Sequence, residues 1–406
     1  MSRTTGSLTS CDIDILYKDG GFPEAATVRD AISPRDAAIE FVGTLYEGRS
    51  YERSLPASLH APDEAYAETR LASLNWIKQT WTGGLTSALF CIRNAIVLDN
   101  AIYFQNGDEI RGIYETFRPQ DLSHLPLNDP DVTFVEAARS PDTIDLIFNN
   151  GGSFNYGHWI VEDLPRLKAF WILRRLFPDK KINIVFRNYH PIIDQIRLQS
   201  IDLLLRGSEY TITRINREDA HNFERLYYAS PVAVPPALKS PEALRFVASR
   251  LRRQVLGVRV KAFCRRLYAN RSLPLRRKLF VDRSASYGRG LSNRHEVLAV
   301  LARYGFEIVD PLSMSFQRQV ATFADARLVV GIMGAAMTNT MFCKPGSTVV
   351  HLAAQGWDDP FFWDLASACS HTCHILYGSN ESIEQPNRDP FAIDVERLDK
   401  LLADLA

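Results

Sequence analysis

Apolar residues form short runs that alternate with longer amphipathic stretches, most regularly between residues 141 and 376. Runs of about five apolar residues predict strands, and apolar positions three or four apart predict helices. The predicted strands are Thr143–Phe148, Ile182–Phe186, Tyr210–Ile215, Arg225–Tyr228, Lys278–Asp282, Phe306–Val309, Arg327–Gly331, Ser347–Leu352 and Cys373–Leu376. The predicted helices are His158–Phe177, Pro191–Leu205, one that begins after Ser240, Asn293–Tyr304, Ser315–Ala324, Gly334–Phe342 and Pro360–Cys369. This alternation indicates an α/β fold with a parallel sheet and helices on both faces.

Local signals predict where some of these helices begin and end. Pro165 lacks a backbone N–H and should kink the helix that begins near His158, or end a first short helix. Asn293 and Glu296 have the spacing of a capping box. Gly305 stands where a helix often ends in a left-handed conformation, so we expect that helix to stop there.

The length of the chain, 406 residues, suits two or three domains of about 150 residues each. Residues 1–35 are polar and aperiodic, which predicts a loose arm. Residues 36–255 are interpreted as an N-terminal α/β domain, although the part up to residue 140 indicates no more than an α+β arrangement. Residues 256–406 are interpreted as a C-terminal α/β domain.

Composition is that of a soluble globular protein, with 46% hydrophobic and 23% charged residues. The 47 basic residues balance 47 acidic ones, which disfavours a nucleic-acid-binding protein. Six scattered cysteines indicate reduced thiols in a cytoplasmic protein, and the polar N-terminus shows no secretory signal. The uncharged stretch Leu328–Cys343 is too short to span a bilayer comfortably and is interpreted as a strand, a glycine turn and a helix.

One segment departs from this charge balance. Residues 245–278 contain twelve basic residues and no acidic residue. They are interpreted either as a solvated helix and linker, or as a surface patch for an anionic membrane or a lipid-phosphate-linked acceptor. The second interpretation predicts a peripheral attachment to the inner membrane that high salt releases.

The first group of chemically useful residues lies where a strand gives way to a helix, in the segment N-Y-G-H-W-I-V-E-D-L-P-R-L. His158 and Glu162 are four residues apart and share one helix face, and Asp163 lies next to Glu162. An imidazole and carboxylates beside a glycine loop can supply a general base for an acceptor hydroxyl. The alternative is a capped helix whose imidazole is satisfied by a backbone carbonyl.

The second group is the glycine turn of residues 331–339, where small residues let backbone N–H groups and a helix N-terminus approach a diphosphate. The third follows the strand Lys278–Asp282 and comprises Arg283, Arg289 and Asn293, whose guanidinium groups can pair with phosphate oxygens. The alternatives are close helix–strand packing for the turn and solvated arginines for the loop. Neither a dinucleotide fingerprint nor a phosphate-binding P-loop motif occurs.

Signals for other chemistries are weak. The D-x-D triplets at Asp12 and Asp129 lie in polar or Pro-rich segments, and such triplets occur by chance. The segment Cys369–His374 lacks the spacing of paired zinc ligands and is interpreted as a helix end that enters a strand. No G-x-S-x-G motif is present, which disfavours a serine hydrolase. We therefore expect no bound metal.

These three groups, in this order, resemble glycosyltransferase family 61, which includes transferases of bacterial surface polysaccharides, plant xylan and animal O-linked N-acetylglucosamine. The likeness covers about residues 141–355. Its matching pieces are N-Y-G-H-W-I-V-E-D-L-P-R-L, V-D-R-S-A-S-Y-G-R-G-L-S-N-R-H-E-V and the stretch from Gly305 to Val350.

The resemblance implies a GT-B architecture, in which two Rossmann-like domains face each other across a cleft, the first binding the acceptor and the second the nucleotide sugar. It also implies inverting transfer, without a metal or other cofactor, from a nucleotide sugar, expected to be UDP-linked, to a glycan hydroxyl in polysaccharide biosynthesis. By position, it assigns catalytic roles to His158, Glu162 and Asp163, acceptor-side roles to Asn155 and Trp159, and donor binding to Arg283, Arg289, Asn293, Gly331, Gly334, Ala335 and Asn339.

The resemblance leaves the base open between Asp163 and His158. We prefer Asp163, with His158 then positioning sugar hydroxyls; if His158 is the base, Glu162 or Asp163 orients its imidazole. Two positions depart from the family pattern, because Met333 stands where a His is usual and His351 where a Glu is frequent. They motivate one alternative, a catalytically inactive nucleotide-sugar-binding protein. A further alternative is an NAD-dependent oxidoreductase on a similar fold, which is less favoured because the dinucleotide fingerprint is absent.

Overall fold

A computed structural model describes residues 12–13, 38–80, 84–106, 109–115, 134–136, 141–148, 151–234, 238–266, 277–283, 290–380, 385–386 and 388–405. These residues form two compact units. Unit 1 takes its residues from Met1–Ser50, Gly83–Arg197 and Gly207–Pro235, and unit 2 from Tyr51–Thr82, Leu198–Arg206 and Pro236–Ala406. Three segments that the sequence analysis assigned to the N-terminal domain, 51–82, 198–206 and 236–255, therefore group with unit 2.

The strands of the described residues are β1 (Asp12–Ile13), β2 (Ile39–Tyr46), β3 (Ser58–His60), β4 (Ser87–Leu98), β5 (Ala101–Asn106), β6 (Glu109–Tyr114), β7 (Phe134–Glu136), β8 (Thr143–Ile147), β9 (Lys181–Arg187), β10 (Thr211–Ile215), β11 (Ala220–Ala229), β12 (Ala233–Val234), β13 (Leu238–Lys239), β14 (Arg277–Val281), β15 (Glu307–Val309), β16 (Ala326–Ile332), β17 (Thr348–Ala354), β18 (Thr372–Asn380) and β19 (Phe391–Ala392). Every strand predicted from residue 141 onward is present, with ends shifted by a few residues.

The α-helices of the same residues are α1 (Glu64–Thr80), α2 (Tyr156–His158), α3 (Ala169–Leu176), α4 (Pro191–Leu204), α5 (Pro241–Arg266), α6 (Arg294–Arg303), α7 (Phe316–Phe323), α8 (Phe361–Ala368) and α9 (Val395–Leu405). Short 3₁₀ helices cover Gly151–Phe154, Leu164–Lys168, Pro311–Ser313 and Ala335–Phe342, and a π-helical turn covers Trp159–Asp163. α5 runs through residue 256, where the sequence analysis placed a domain limit.

The sheet of unit 1 has the strand order β1-β6-β5-β4-β11-β8-β9-β10, with β2 beside β4 and β7 beside β11. Strands β11, β8, β9 and β10 run parallel, whereas β4 is antiparallel to β2, β5 and β11. From β8 the chain moves outward through β9 to β10 and then returns to β11, on the other side of β8. The strand order therefore reverses between β8 and β11, and open α/β sheets bind ligands beyond the carboxyl ends of their strands at such a reversal.

The sheet of unit 2 has the order β15-β14-β16-β17-β18-β19, with β3 beside β18. Its strands run parallel except for β19, which is antiparallel to β18. After β14 the chain forms β15 on one side and then β16 on the other, so here the order reverses between β14 and β16. The predicted α/β class with parallel sheets is confirmed.

One face of the unit 2 sheet is covered by apolar residues of α6 and α9. Val330 and Val350 of the sheet pack with Val297 of α6 and Leu398 of α9, and all four side chains are fully buried. This burial explains the continuous apolar runs in the sequence, because a parallel sheet covered on both faces needs no polar face.

The helix ends agree with the predictions in two places and differ in one. The helical segment that begins near His158 is interrupted at Pro165, as predicted: Leu164 donates its N–H to the Trp159 carbonyl, five residues back, and a 3₁₀ helix with Pro165 in its first turn follows the π turn. Asn293 makes no side-chain cap, because its amide exchanges hydrogen bonds of 3.0 and 2.7 Å with the backbone N–H and carbonyl of Ile393. Gly305 ends its helix with φ of 72°, as predicted.

Two arginines of the basic segment are engaged with their own unit. In α5, Arg250 donates to the Leu204 carbonyl at 3.0 Å and Arg252 to the Cys343 carbonyl at 2.6 Å. These arginines therefore satisfy backbone carbonyls at the ends of other helices. Residues 267–276 of the segment lie outside the described residues, and no described helix has the length and apolarity to cross a bilayer.

Candidate functional site

His158 and Glu162 form a hydrogen-bonded pair beyond the carboxyl end of β8, where the strand order of unit 1 reverses. His158 Nδ1 lies 2.7 Å from Glu162 Oε1, and the exposed fractions of the two side chains are 33% and 4%. An ionised carboxylate only accepts hydrogen bonds, so it places the proton on Nδ1 and the lone pair on Nε2. The pair thus has the geometry of a general base oriented by a buried carboxylate.

Asp163, the residue that follows Glu162, is fully buried. Its Oδ2 accepts a hydrogen bond of 2.6 Å from Ser153 Oγ, and its Oδ1 has no partner among the described residues. Burial raises the pKa of Asp163 to about 7, although Arg166 and the Ser153 hydrogen bond act in the opposite direction. The preference for Asp163 as the base meets an obstacle here, because a hydroxyl from solution does not reach a carboxyl group without exposed surface.

Arg166 fastens the π turn to the sheet. Its Nε donates to the Glu162 carbonyl at 3.1 Å, and its Nη1 donates to the carbonyls of Phe148 and Ala229 at 3.0 and 3.3 Å. These two carbonyls follow β8 and end β11, so the guanidinium lies at the reversal of strand order. Both Nη atoms also donate to the carboxylate of Glu115, which raises the pKa of Arg166. The guanidinium is thereby largely occupied with protein acceptors.

The two residues assigned to the acceptor side contact the turn that carries His158. Asn155 Oδ1 accepts the Gly157 N–H at 2.8 Å and caps α2, and the residue is partly exposed. The Trp159 ring is fully buried, between Phe148 and the guanidinium of Arg197, which lies 4.5 Å from the ring centre. Both side chains thus stabilise this turn.

In unit 2, Arg283 and the glycine turn lie together beyond the carboxyl ends of adjacent strands. Val281 of β14 pairs with Gly331 of β16 in parallel register, Arg283 follows β14 by two residues, and residues 333–335 follow β16. Arg283 is partly buried, which lowers its pKa. Since this is where the strand order reverses, the arrangement suits an anionic ligand.

The segment after the turn is a 3₁₀ helix rather than the predicted α-helix. Met337 N–H donates to the Gly334 carbonyl at 2.8 Å and closes the first turn. The N–H groups of Ala335 and Ala336 precede this bond, and both residues are partly exposed. These two N–H groups have no acceptor within the helix, because the first donors of any helix precede its first internal hydrogen bond.

The other donor-binding candidates have different environments. A Cβ on Gly331 would lie 2.4 Å from Met337 Sδ and 2.8 Å from Val281 Cβ, so this glycine is required by packing. Asn339 is buried and donates to Gln319 Oε1 and the Ala336 carbonyl, both at 3.1 Å. Asn293 is committed to Ile393, and Arg289 lies outside the described residues.

The two departures from the family pattern are both buried. Met333 and His351 are each 1% exposed, and neither ring nitrogen of His351 has a hydrogen-bond partner among the described residues. Burial lowers the pKa of His351 to about 3, so its imidazole is neutral at pH 7. Within the part of the chain that the structure describes, no group of three or more His, Cys, Asp or Glu residues could hold a metal ion.

Sequence reasoning missed Ser153, Arg166 and Glu115. Arg166 was visible only as part of the motif, and nothing in the sequence linked it to Glu115, 51 residues earlier. The position of Arg166, four residues after Glu162, is the signal that could have found it, because this spacing puts both residues on one helix face. Its partners come from strands that only the folded sheet brings together.

Comparisons with known proteins identify a family match over part of the chain. The family model described as Glycosyltransferase 61 matches residues 156–350, a range that contains His158, Glu162, Arg283 and the glycine turn. Among solved structures, a glycosyl transferase family 9 protein from Veillonella parvula matches with 14% identity, covering 59% of this chain and 86% of that one, with a TM-score of 0.29. No curated protein matches the chain significantly.

Proposed function

The chain belongs to glycosyltransferase family 61 through residues 156–350, and from this premise we propose that it moves a sugar from a nucleotide-sugar donor, UDP-linked, to a hydroxyl of a glycan. We further propose that transfer inverts the anomeric centre and needs no metal ion. The observation that carries the proposal is the 2.7 Å contact between His158 Nδ1 and the buried Glu162 carboxylate. This contact orients a partly exposed imidazole and assigns the role of base to its other nitrogen, Nε2.

In this mechanism the acceptor hydroxyl gives its proton to His158 Nε2 while its oxygen forms the bond to the anomeric carbon. The bond between that carbon and the diphosphate oxygen breaks, and the electron pair leaves with the nucleoside diphosphate. The Glu162 carboxylate stabilises the imidazolium that forms. Asp163 stabilises the turn through its hydrogen bond with Ser153 and takes no proton from the acceptor.

The leaving diphosphate gains negative charge, which fixed donors at the strand reversal of unit 2 stabilise. The Arg283 guanidinium and the N–H groups of Ala335 and Ala336 are proposed for this role. Asn293, Asn339 and Gly331 support the backbone around these donors instead of contacting the donor substrate. If activity is lost in excess EDTA and restored by Mn²⁺, metal independence is wrong.

The test compares His158→Gln with Asp163→Asn, two substitutions in the same helical segment that keep a polar side chain of similar size. Release of nucleoside diphosphate is measured with a panel of UDP-sugars and oligosaccharide acceptors. We expect His158→Gln to lower kcat/KM by about 10²–10⁴ and Asp163→Asn to lower it by less than about tenfold. The reverse order of effects would show that Asp163 is the base.

A further inference from the structure

Phe154 presents an exposed aromatic ring on a firmly held turn next to the catalytic pair. Its side chain is 61% exposed, whereas Ser153 before it is fully buried and bonded to Asp163. The turn is closed by a hydrogen bond of 2.9 Å from Asn155 N–H to the Gly152 carbonyl. The outward position of Phe154 is thus imposed by the hydrogen bonds on either side of it.

The residue before an N-cap often packs against the fourth residue after the N-cap, in a contact called a hydrophobic staple. With Asn155 as the N-cap, these two residues are Phe154 and Trp159. Trp159 is fully buried among Phe148, Phe186 and Arg197, whereas Phe154 remains exposed. Phe154 thus stays exposed to solvent although it stands at the staple position.

Phe154 is supported from one side by Tyr189. The two ring centres are 6.2 Å apart with an angle of 59° between the rings. Tyr189 follows β9, donates its N–H to Asp194 Oδ2 at 2.9 Å and has the guanidinium of Arg197 5.0 Å from its ring centre. Together, Phe154 and Tyr189 define an aromatic platform.

We propose that the aromatic platform is the acceptor subsite and that a pyranose ring of the acceptor glycan stacks on Phe154. Exposed aromatic surface marks ligand sites, and the C–H face of a sugar ring is the complementary surface of a glycan. The turn that carries Phe154 leads directly into α2, which ends at His158, the residue that would deprotonate a hydroxyl of the stacked sugar. This inference rests on the proposed function, because a sugar whose hydroxyl is deprotonated by His158 is the acceptor of the transfer.

The kinetic test compares Phe154→Ala, Phe154→Trp and Phe41→Ala. Phe41 is the matched control, a phenylalanine of the same unit that is 41% exposed and also contacts an aromatic ring, that of Phe90. We expect Phe154→Ala to raise the KM for the acceptor about tenfold, with the KM for the donor and the rate of donor hydrolysis without acceptor changed less than about twofold. Phe154→Trp retains the acceptor KM, and Phe41→Ala leaves all three quantities unchanged.

An unchanged acceptor KM in Phe154→Ala, in an enzyme that transfers sugar normally, overturns the subsite and leaves the proposed function standing. A second measurement is independent of catalysis. Protein labelled with 4-fluorophenylalanine is titrated with methyl glycosides of glucose, galactose, mannose, xylose and N-acetylglucosamine, and the Phe154 signal is assigned with Phe154→Leu. A saturable shift of that ¹⁹F signal, with no shift of the Phe41 signal, supports the subsite. No shift with any of the five sugars contradicts it, whether or not transfer is detected.

Discussion

At the scale of single residues, the Asp163 carboxyl group makes the stability of the protein depend on pH. Its pKa of about 7 lies above the ordinary value of 3.8 because the group is buried. The folded chain therefore binds a proton more tightly than the unfolded chain, and this contribution to stability is complete below about pH 4 and is lost as pH rises through 7. The displacement corresponds to on the order of 4 kcal/mol.

We expect Asp163→Asn to remove this dependence. The amide oxygen can still accept the hydrogen bond from Ser153, but the group no longer ionises. Urea unfolding of the variant and the parent at pH 5, 7 and 8.5 should show the largest gain for the variant at pH 8.5. Parallel pH profiles of the two proteins would mean that the carboxyl group does not titrate in this range.

The His158–Glu162 pair shows what spacing can and cannot predict for a residue. The separation of four positions correctly put His158 and Glu162 on one face. The same reasoning did not distinguish Glu162 from Asp163, because that depends on which carboxylate meets a solvent-facing imidazole and which meets Ser153. The burial of Asp163 arises from the packing of the π turn against the sheet, and no local pattern encodes it.

At the scale of elements, Arg166 and Glu115 hold the helical segment of His158 and Glu162 at the reversal of strand order. Glu115→Gln removes the charge that pairs with a buried guanidinium and lets the Glu162 backbone shift. Since a misplacement of about 1 Å can cost about 10²-fold in rate, we expect a drop of about 10- to 100-fold in kcat with a smaller change in KM. Steady-state kinetics check this.

A positioning role also predicts a change at His158 itself. In the parent, the ¹⁵N shifts of His158 should show a proton on Nδ1; in Glu115→Gln, they should show a mixture of tautomers. Glu40→Gln is the control, because Glu40 accepts from Arg93 at the surface of the same unit. If Glu115→Gln only weakens folding and leaves the tautomer and kcat intact, Glu115 has no part in positioning.

The packing of the 3₁₀ helix Ala335–Phe342 against β14 and β16 depends on Gly331. Gly331→Ala places a Cβ within 2.8 Å of Val281 Cβ and 2.4 Å of Met337 Sδ, and β16 or the helix must move. We expect a loss of about 1–3 kcal/mol in the free energy of unfolding and weaker binding of UDP. Gly43→Ala is the control, since no atom lies within 4 Å of its added Cβ and its effect should stay within about 0.5 kcal/mol. Unfolding in urea and calorimetric UDP titration measure the two effects.

The parallel strands were predictable because they are short, apolar and evenly spaced. The antiparallel strands β4–β6 were not, since the polar residues between their apolar runs hide the alternation. Helix α1 was also missed; it buries only Arg70, Leu74 and Ile77 in 17 residues, and such a narrow face gives little periodicity. Its place in unit 2 depends on contacts such as that of Arg70 with Asp358, almost 300 positions later in the chain.

At the scale of the whole molecule, a buried ionic cluster ties the early segment 51–82 into unit 2. Asp364 accepts from Tyr51 Oη at 2.5 Å, Arg53 Nε at 2.7 Å and Lys239 Nζ at 3.0 Å. Asp364, Arg53 and Lys239 are all nearly inaccessible. Removing the central carboxylate leaves two buried cations without their shared partner.

We expect Asp364→Asn to lower the free energy of unfolding by about 3–5 kcal/mol. Glu307→Gln is the control, because Glu307 pairs with Arg277 while half exposed and should contribute less than about 1 kcal/mol. Chemical denaturation followed by circular dichroism gives both values. Equal, small effects would mean that the cluster does not hold the segment.

The grouping of residues 51–82, 198–206 and 236–255 with unit 2 could not be predicted, because these segments are distant in sequence from most of their partners. The class of fold was predictable, because it depends on the alternation of elements. Where the strand order reverses depends on pairings such as Val281 with Gly331, which a single sequence does not reveal.

The central claim is that His158 activates the acceptor hydroxyl for a direct displacement of the nucleoside diphosphate. The most direct measurement is the anomeric configuration of the product, read by ¹H NMR from the coupling constant of the transferred sugar. A single displacement assisted by one base predicts the configuration opposite to that of the donor. A product with the configuration of the donor would contradict the account.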